Sequence, residues 1–121
     1  MDANPSETTK PQIEKRKSIR VLAFMEAKEG KGQELVNHVL SVITPTRKEE
    51  GNIAYDLCIS LDNHNQILVD KIWTSKDALD NHFNTIHMKS VLSKIEPILA
   101  KPLEIKIYKE IEKTFQTLLR I

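Results

Sequence analysis

Residues 51–87 read GNIAYDLCISLDNHNQILVDKIWTSKDALDNHFNTIH. In the first part, Ile53, Tyr55, Leu57, Ile59 and Leu61 alternate with Ala54, Asp56, Cys58 and Ser60, the period of two expected of a strand over 52–61. A polar turn, Asp62-Asn63-His64-Asn65, follows, and a second strand is expected over 66–74. Ile67, Val69, Lys71 and Trp73 share one of its faces; Leu68, Asp70 and Ile72 share the other. The pair reads as an antiparallel hairpin with a four-residue loop. Ser75 then offers a hydroxyl to cap a helix, with Asp77 favourably placed at the positive end. Ala78, Leu79, His82, Phe83 and Ile86 recur at helical spacing, and Thr85 marks a break or a second cap before His87.

Outward from this unit, IRVLAFME at 19–26 is a strand with Ile19, Val21, Ala23 and Met25 on one face. Leu22 and Phe24 on its other face indicate cover on both sides. AKEGKG at 27–32 ends it in a turn. A helix is expected from Gln33 to about Glu50, with Leu35, Val36, Val39, Leu40, Val42 and Ile43 along one stripe. Pro45 should kink or loosen its last turns, and Gly51 is placed to stop it. Beyond His87, a stripe of Met88, Val91, Leu92, Ile95, Ile98 and Leu99 runs to Pro97 and Pro102, and a last strand is expected over 103–111.

The order β-α-β-β-α-β is the split βαβ arrangement of ferredoxin-like α+β folds, with an antiparallel sheet. Such a sheet carries helices on one face. The apolar residues on its other face predict a homodimer packed sheet on sheet into a barrel-like core. Residues 1–17, polar with two prolines, read as a flexible arm around a domain spanning 18–110. Residues 111–121 place Ile111, Phe115, Leu118 and Leu119 on one face of a short amphipathic helix, expected to dock on this chain or a partner.

With 121 residues the chain is one domain. A net charge of +1 argues against nucleic-acid binding by phosphate neutralisation. No run of about 18 apolar residues predicts a membrane span, and the N-terminus lacks the apolar region of a secretory signal. One cysteine, Cys58, excludes an intrachain disulfide and fits a reducing, cytoplasmic setting. It has no histidine or basic neighbour in sequence and is expected to be an inert buried thiol.

Candidate chemistry gathers at the junction of the second hairpin strand and the following helix. His82 and His87 could serve proton transfer at neutral pH. On one helix their spacing separates them by about 140°, with no carboxylate in the neighbouring sequence to complete a metal site, so no metal is expected. Trp73 is either a core residue or the wall of an apolar pocket, and Tyr55 carries the same two readings. His38 reads as a surface residue. No phosphate-binding loop, dinucleotide fingerprint or nucleophile elbow occurs, so no nucleotide cofactor held in a standard way is expected.

Three segments together resemble the antibiotic biosynthesis monooxygenase family: IRVLAFMEAKEGKGQEL, TRKEEGNIAYDL, which looks like that family's Glu-x-Gly-x-x-x-Tyr, and IWTSKDALDNHFNTIH with Trp73, His82, Thr85 and His87 in the family spacing. The resemblance covers roughly residues 19–110. It implies a dimeric α/β barrel and a monooxygenase that oxidises a small aromatic or quinol-like compound with O2 and no cofactor. It further implies catalytic roles for His82, Trp73 and His87, and substrate contacts from Tyr55, Trp73, Lys71 and Phe83. The family commonly has a glutamate where Lys71 stands. That departure keeps open a non-catalytic small-molecule-binding dimer, or an isomerase of a phosphorylated signalling metabolite with a basic pocket. Haem degradation, known in related families, is a minor further reading.

Overall fold

The computed structural model describes residues 18–111. The proposed N-terminal arm and almost all of the C-terminal amphipathic segment lie outside the described residues. Strand β1 (Ile19–Glu26) is followed by helix α1 (Gly32–Arg47), strands β2 (Asn52–Ile59) and β3 (Gln66–Trp73), helices α2 (Lys76–Phe83) and α3 (Ile86–Ile95), a 3-10 turn (Glu96–Ile98) and strand β4 (Glu104–Lys109). The sheet order is β2-β3-β1-β4 and every pairing is antiparallel, the ferredoxin-like α+β topology.

The faces follow the alternation read in the sequence. Val21, Ala23 and Met25 of β1 and Ile67, Val69, Lys71 and Trp73 of β3 all point into the helical side and are buried. Leu35, Val39 and Val42 of α1 and Met88, Val91 and Ile95 of α3 close over them. Val21 and Trp73 join Ala78 and Leu79 in a second apolar cluster under α2. The opposite face carries Leu22, Phe24, Leu68 and Ile72, all partly exposed, and a two-pronged ion pair of Arg20 with Asp70 at 3.0 and 2.8 Å.

Four expectations need correction. Helix α1 ends at Arg47, two residues past Pro45, so Gly51 does not stop it. Strand β2 is not a clean alternation: Asn52 pairs with Trp73 but Ala54 with Ile72, so Ile53 is the extra residue of a bulge and is exposed. Leu61 lies beyond the strand and is almost fully exposed. Cys58 is exposed, because β2 turns Tyr55 and Leu57 toward the helices and Cys58, opposite Leu68, away from them.

The elements around residues 74–85 are set by two caps. Ser75 Oγ accepts from the Ala78 N–H at 3.1 Å and starts α2. Thr85 Oγ1 accepts from the Met88 N–H at 3.3 Å and donates to the His82 carbonyl at 2.7 Å, so one hydroxyl ends α2 and starts α3. Gly51 fastens this corner to the start of β2. Its carbonyl accepts from the Thr74 N–H at 2.8 Å, and its φ of +91° suits glycine. A Cβ there would stand 2.5 Å from the Ala78 Cβ and 2.8 Å from Thr74 Oγ1.

Gly51→Ala is therefore expected to cost about 2–4 kcal/mol, combining left-handed backbone strain with overpacking. Gly30 has a similar φ of +80° with no neighbour within 4 Å, so Gly30→Ala should cost about 1–2 kcal/mol. Urea denaturation of both variants checks the difference; equal losses would show that the contact with α2 is unimportant.

Candidate active site

The side chains singled out in the sequence converge, but by a route the sequence did not display. His82 and His87 stand on two different helices, α2 and α3, because the chain breaks at the Thr85 cap. The angular argument for a single helix therefore does not apply, and the ring centroids come within 6.2 Å. Both rings turn toward Glu49, in the linker between α1 and β2. Its Oε2 lies 2.9 Å from His82 Nδ1 and 2.6 Å from His87 Nε2. The carboxylate that local sequence did not supply thus comes from 33 residues upstream of His82. Glu49 was missed as a site residue, although it is the first residue of the quoted Glu-x-Gly-x-x-x-Tyr segment. Gly51, two residues on, is the close contact that brings this linker against α2.

His82 is fully buried. Its Nδ1 donates to Glu49, which leaves Nε2 as an acceptor, and Lys71 Nζ stands 3.5 Å from that atom. Burial first, then the nearby Lys71 charge, hold the His82 pKa down to about 4 against the upward pull of Glu49. The ring is therefore neutral at pH 7. Lys71 is 4% exposed, and its pKa falls to about 8, chiefly through desolvation. Burial likewise lifts the Tyr55 hydroxyl to about 12.

Lys71, Tyr55 and Phe83 line a cavity of about 150 Å³ between the sheet and α1 and α3. Ala23, Met25, Val39, Val69, Met88 and Val91 make much of the rest of its wall. The Lys71 ammonium lies 5.8 Å from the Tyr55 ring centre and 5.6 Å from that of Phe83. Trp73, His82 and His87 do not line it. Trp73 lies beneath His82, ring centres 4.6 Å apart, and its buried Nε1 has no hydrogen-bond partner among the described residues. A larger, more open groove of about 610 Å³ runs along Leu92, Glu96 and Leu99–Leu103, but no buried titratable group faces it.

The nearest donor atoms of Glu49, His82 and His87 lie within 4.8 Å of one another, a set that could in principle hold a metal ion. The 2.6 and 2.9 Å separations are those of hydrogen bonds to a shared carboxylate oxygen.

A small apolar cavity with one ammonium, backed by a neutral imidazole, thus lies on the helical side of a ferredoxin-like α+β sheet. The chain belongs to the antibiotic biosynthesis monooxygenase family, whose model matches residues 18–93. It is 35% identical to an uncharacterized Synechocystis protein over 75% of this chain and 62% of that one, so it spans less than two thirds of that relative. It is 28% identical to YcnE of Bacillus subtilis, provisionally named a monooxygenase, over 72% of this chain and 92% of that one. A conserved Methanosarcina mazei protein of known structure superposes with a TM-score of 0.75 at 34% identity, covering 78% of this chain and 94% of that one.

The pH dependence of stability follows from His82. Between pH 6.5 and 4 the unfolded chain binds a proton that the folded ring refuses. Acidification through that window should therefore favour unfolding, by at most about 1.4 kcal/mol per pH unit from this residue. Urea midpoints across the window should fall less steeply in His82→Gln than in the parent chain. Parallel profiles would show that the ring is not held neutral.

Proposed function

We propose that the chain is a monooxygenase that oxidises a small quinol-like aromatic compound with O2 and without a bound cofactor, acting as a cytoplasmic homodimer. The observation that carries this reading is the apolar cavity with Lys71 on its wall and the His82–Glu49 pair behind it. A void of about 150 Å³ is the size that accepts one benzene ring. That favours one-ring hydroquinones over polycyclic anthrones and leaves no room for haem. A single ammonium in an apolar lining also suits one oxyanion better than the two charges of a phosphate monoester, against the isomerase reading.

The reaction balances without an external reductant. A hydroquinone and O2 give a hydroxyquinone and water: one oxygen atom enters the ring, and the other leaves as water with electrons drawn from the substrate. Lys71, Tyr55 and Phe83 would orient the ring. Lys71 and His82 would hold or relay the phenolic proton. Trp73 would fix His82 from below, and His87 would fix Glu49. Family relatives provisionally named monooxygenases support the reaction class.

Oxygen uptake should be detectable with one-ring hydroquinones and weaker with anthrones, and His82→Ala should lower kcat about a hundredfold. No uptake above buffer, or an unchanged rate in His82→Ala, would overturn the enzyme. Retained binding without uptake would instead support a small-molecule-binding dimer, the reading that Lys71 in place of a carboxylate favours.

The dimer is supported by the partly exposed Leu22, Phe24, Leu68 and Ile72 on the helix-free face. Sedimentation should give a two-chain mass for the parent protein and one chain for Phe24→Glu; a monomeric parent would remove the proposed barrel.

A further inference from the structure

The Lys71 ammonium is closed into a wall that offers it almost nothing. It has three N–H donors, yet among the described residues its hydrogen-bond partner is His82 Nε2 alone, at a long 3.5 Å. From β2 it faces the Tyr55 ring, and from α2 the Phe83 ring beside His82. From α1 and α3 the cavity wall is Val39, Val42, Met88, Val91 and neighbouring aliphatic side chains. Among the described residues, no carboxylate lines the cavity. Glu49 is separated from Lys71 by the whole imidazole, and its Oε2 is already shared between His82 and His87. A buried ammonium with few partners among the described residues, on the wall of an apolar cavity, is the expensive half of an ion pair.

We propose that Lys71 is a specificity-determining anion site, and that the cavity takes its one-ring ligand as the monoanion, with a phenolate oxygen paired to Nζ and the ring held by Phe83, Val69 and Met88. This deepens the monooxygenase reading and rests on its placing of the substrate in this cavity. It assigns the substrate class: acidic phenols and hydroquinones, bound deprotonated, in preference to their ethers or to neutral quinols. The phenolic proton is taken up by Lys71 or lost to solvent, and no bond to the protein forms. A phenolate is also the more easily oxidised form, so the same ion pair prepares the ring to give an electron to O2. The depressed Lys71 pKa agrees with the geometry, since an ammonium short of partners loses its proton early and would recover it when an anion arrives.

Binding of para-nitrophenol tests this without turnover, because its anion and neutral form differ in colour and O2 does not consume it. The bound dye should ionise about one to two pH units lower than the free dye, equivalent to a ten- to hundredfold preference for the anion. In Lys71→Met that shift should vanish and affinity at neutral pH should drop at least about tenfold. Lys71→Glu should reverse the preference and bind the neutral phenol better. The urea midpoint of Lys71→Met should stay level or rise, since an apolar isostere replaces a buried charge. Should that variant not fold, Lys71→Gln makes the same comparison. Equal dye ionisation in the parent and Lys71→Met, or para-nitroanisole binding as tightly as the anion, would overturn the proposal. Oxygen uptake plays no part in this readout, so loss of the enzyme reading and loss of the anion site would be seen separately.

Discussion

One carboxylate oxygen, Glu49 Oε2, fixes how the charged interior of this domain is arranged. A buried ammonium costs several kcal/mol unless something compensates it. Lys71 receives only part of that compensation, through a neutral ring. His82 Nε2 can accept only while the proton of that ring sits on Nδ1, and it sits there because Glu49 accepts it at 2.9 Å. Glu49 is in turn steadied by His87 at 2.6 Å. Lys71 and Glu49 face each other across the imidazole without a direct contact, so Glu49 offsets the desolvation of Lys71 only in part. Four separate parts of the chain contribute. The α1–β2 linker brings Glu49, β3 brings Lys71, α2 brings His82 and α3 brings His87.

That dependence explains why local devices matter far from the cavity. The Thr85 hydroxyl ties the His82 carbonyl to the first turn of α3 and so sets the angle between the two imidazoles. Gly51 permits the linker to lie against Ala78, which puts Glu49 within reach of α2. Trp73 fills the space under His82 with a flat apolar surface, at the cost of a buried indole N–H that finds no partner among the described residues.

What was legible in the sequence had short range. The bounds of β1, the hairpin of β2 and β3, and the Ser75 and Thr85 caps follow from alternation and from cap chemistry acting over three or four residues. The shared face of Lys71 with Ile67, Val69 and Trp73 was also readable, and it alone implied a lysine turned toward the core. Glu49 was not readable as a partner of His82, because their contact depends on tertiary closure across 33 positions. The bulge at Ile53 was hidden because Ile53 fits the alternation and leaves it only when paired against β3. For Trp73 the sequence leaves core residue and pocket wall open, since both suit an aromatic at a strand end. It is a fully buried core residue packed against the His82 ring and does not line the cavity.

Position 71 also decides the charge state of the histidine behind it. With lysine there, Nε2 must accept, Nδ1 must donate to Glu49, and the ring is neutral. With a glutamate there, a carboxylate would face Nε2 while Glu49 still faced Nδ1. Both ring nitrogens would then need protons, and an imidazolium between two carboxylates is the state that satisfies them. The substitution therefore changes two groups at once. It replaces an acceptor on the cavity wall with an ammonium, and it converts the imidazole behind that wall from a cation into a neutral acceptor. With lysine at position 71, His82 Nε2 is an acceptor and the cavity wall carries an ammonium in place of a carboxylate.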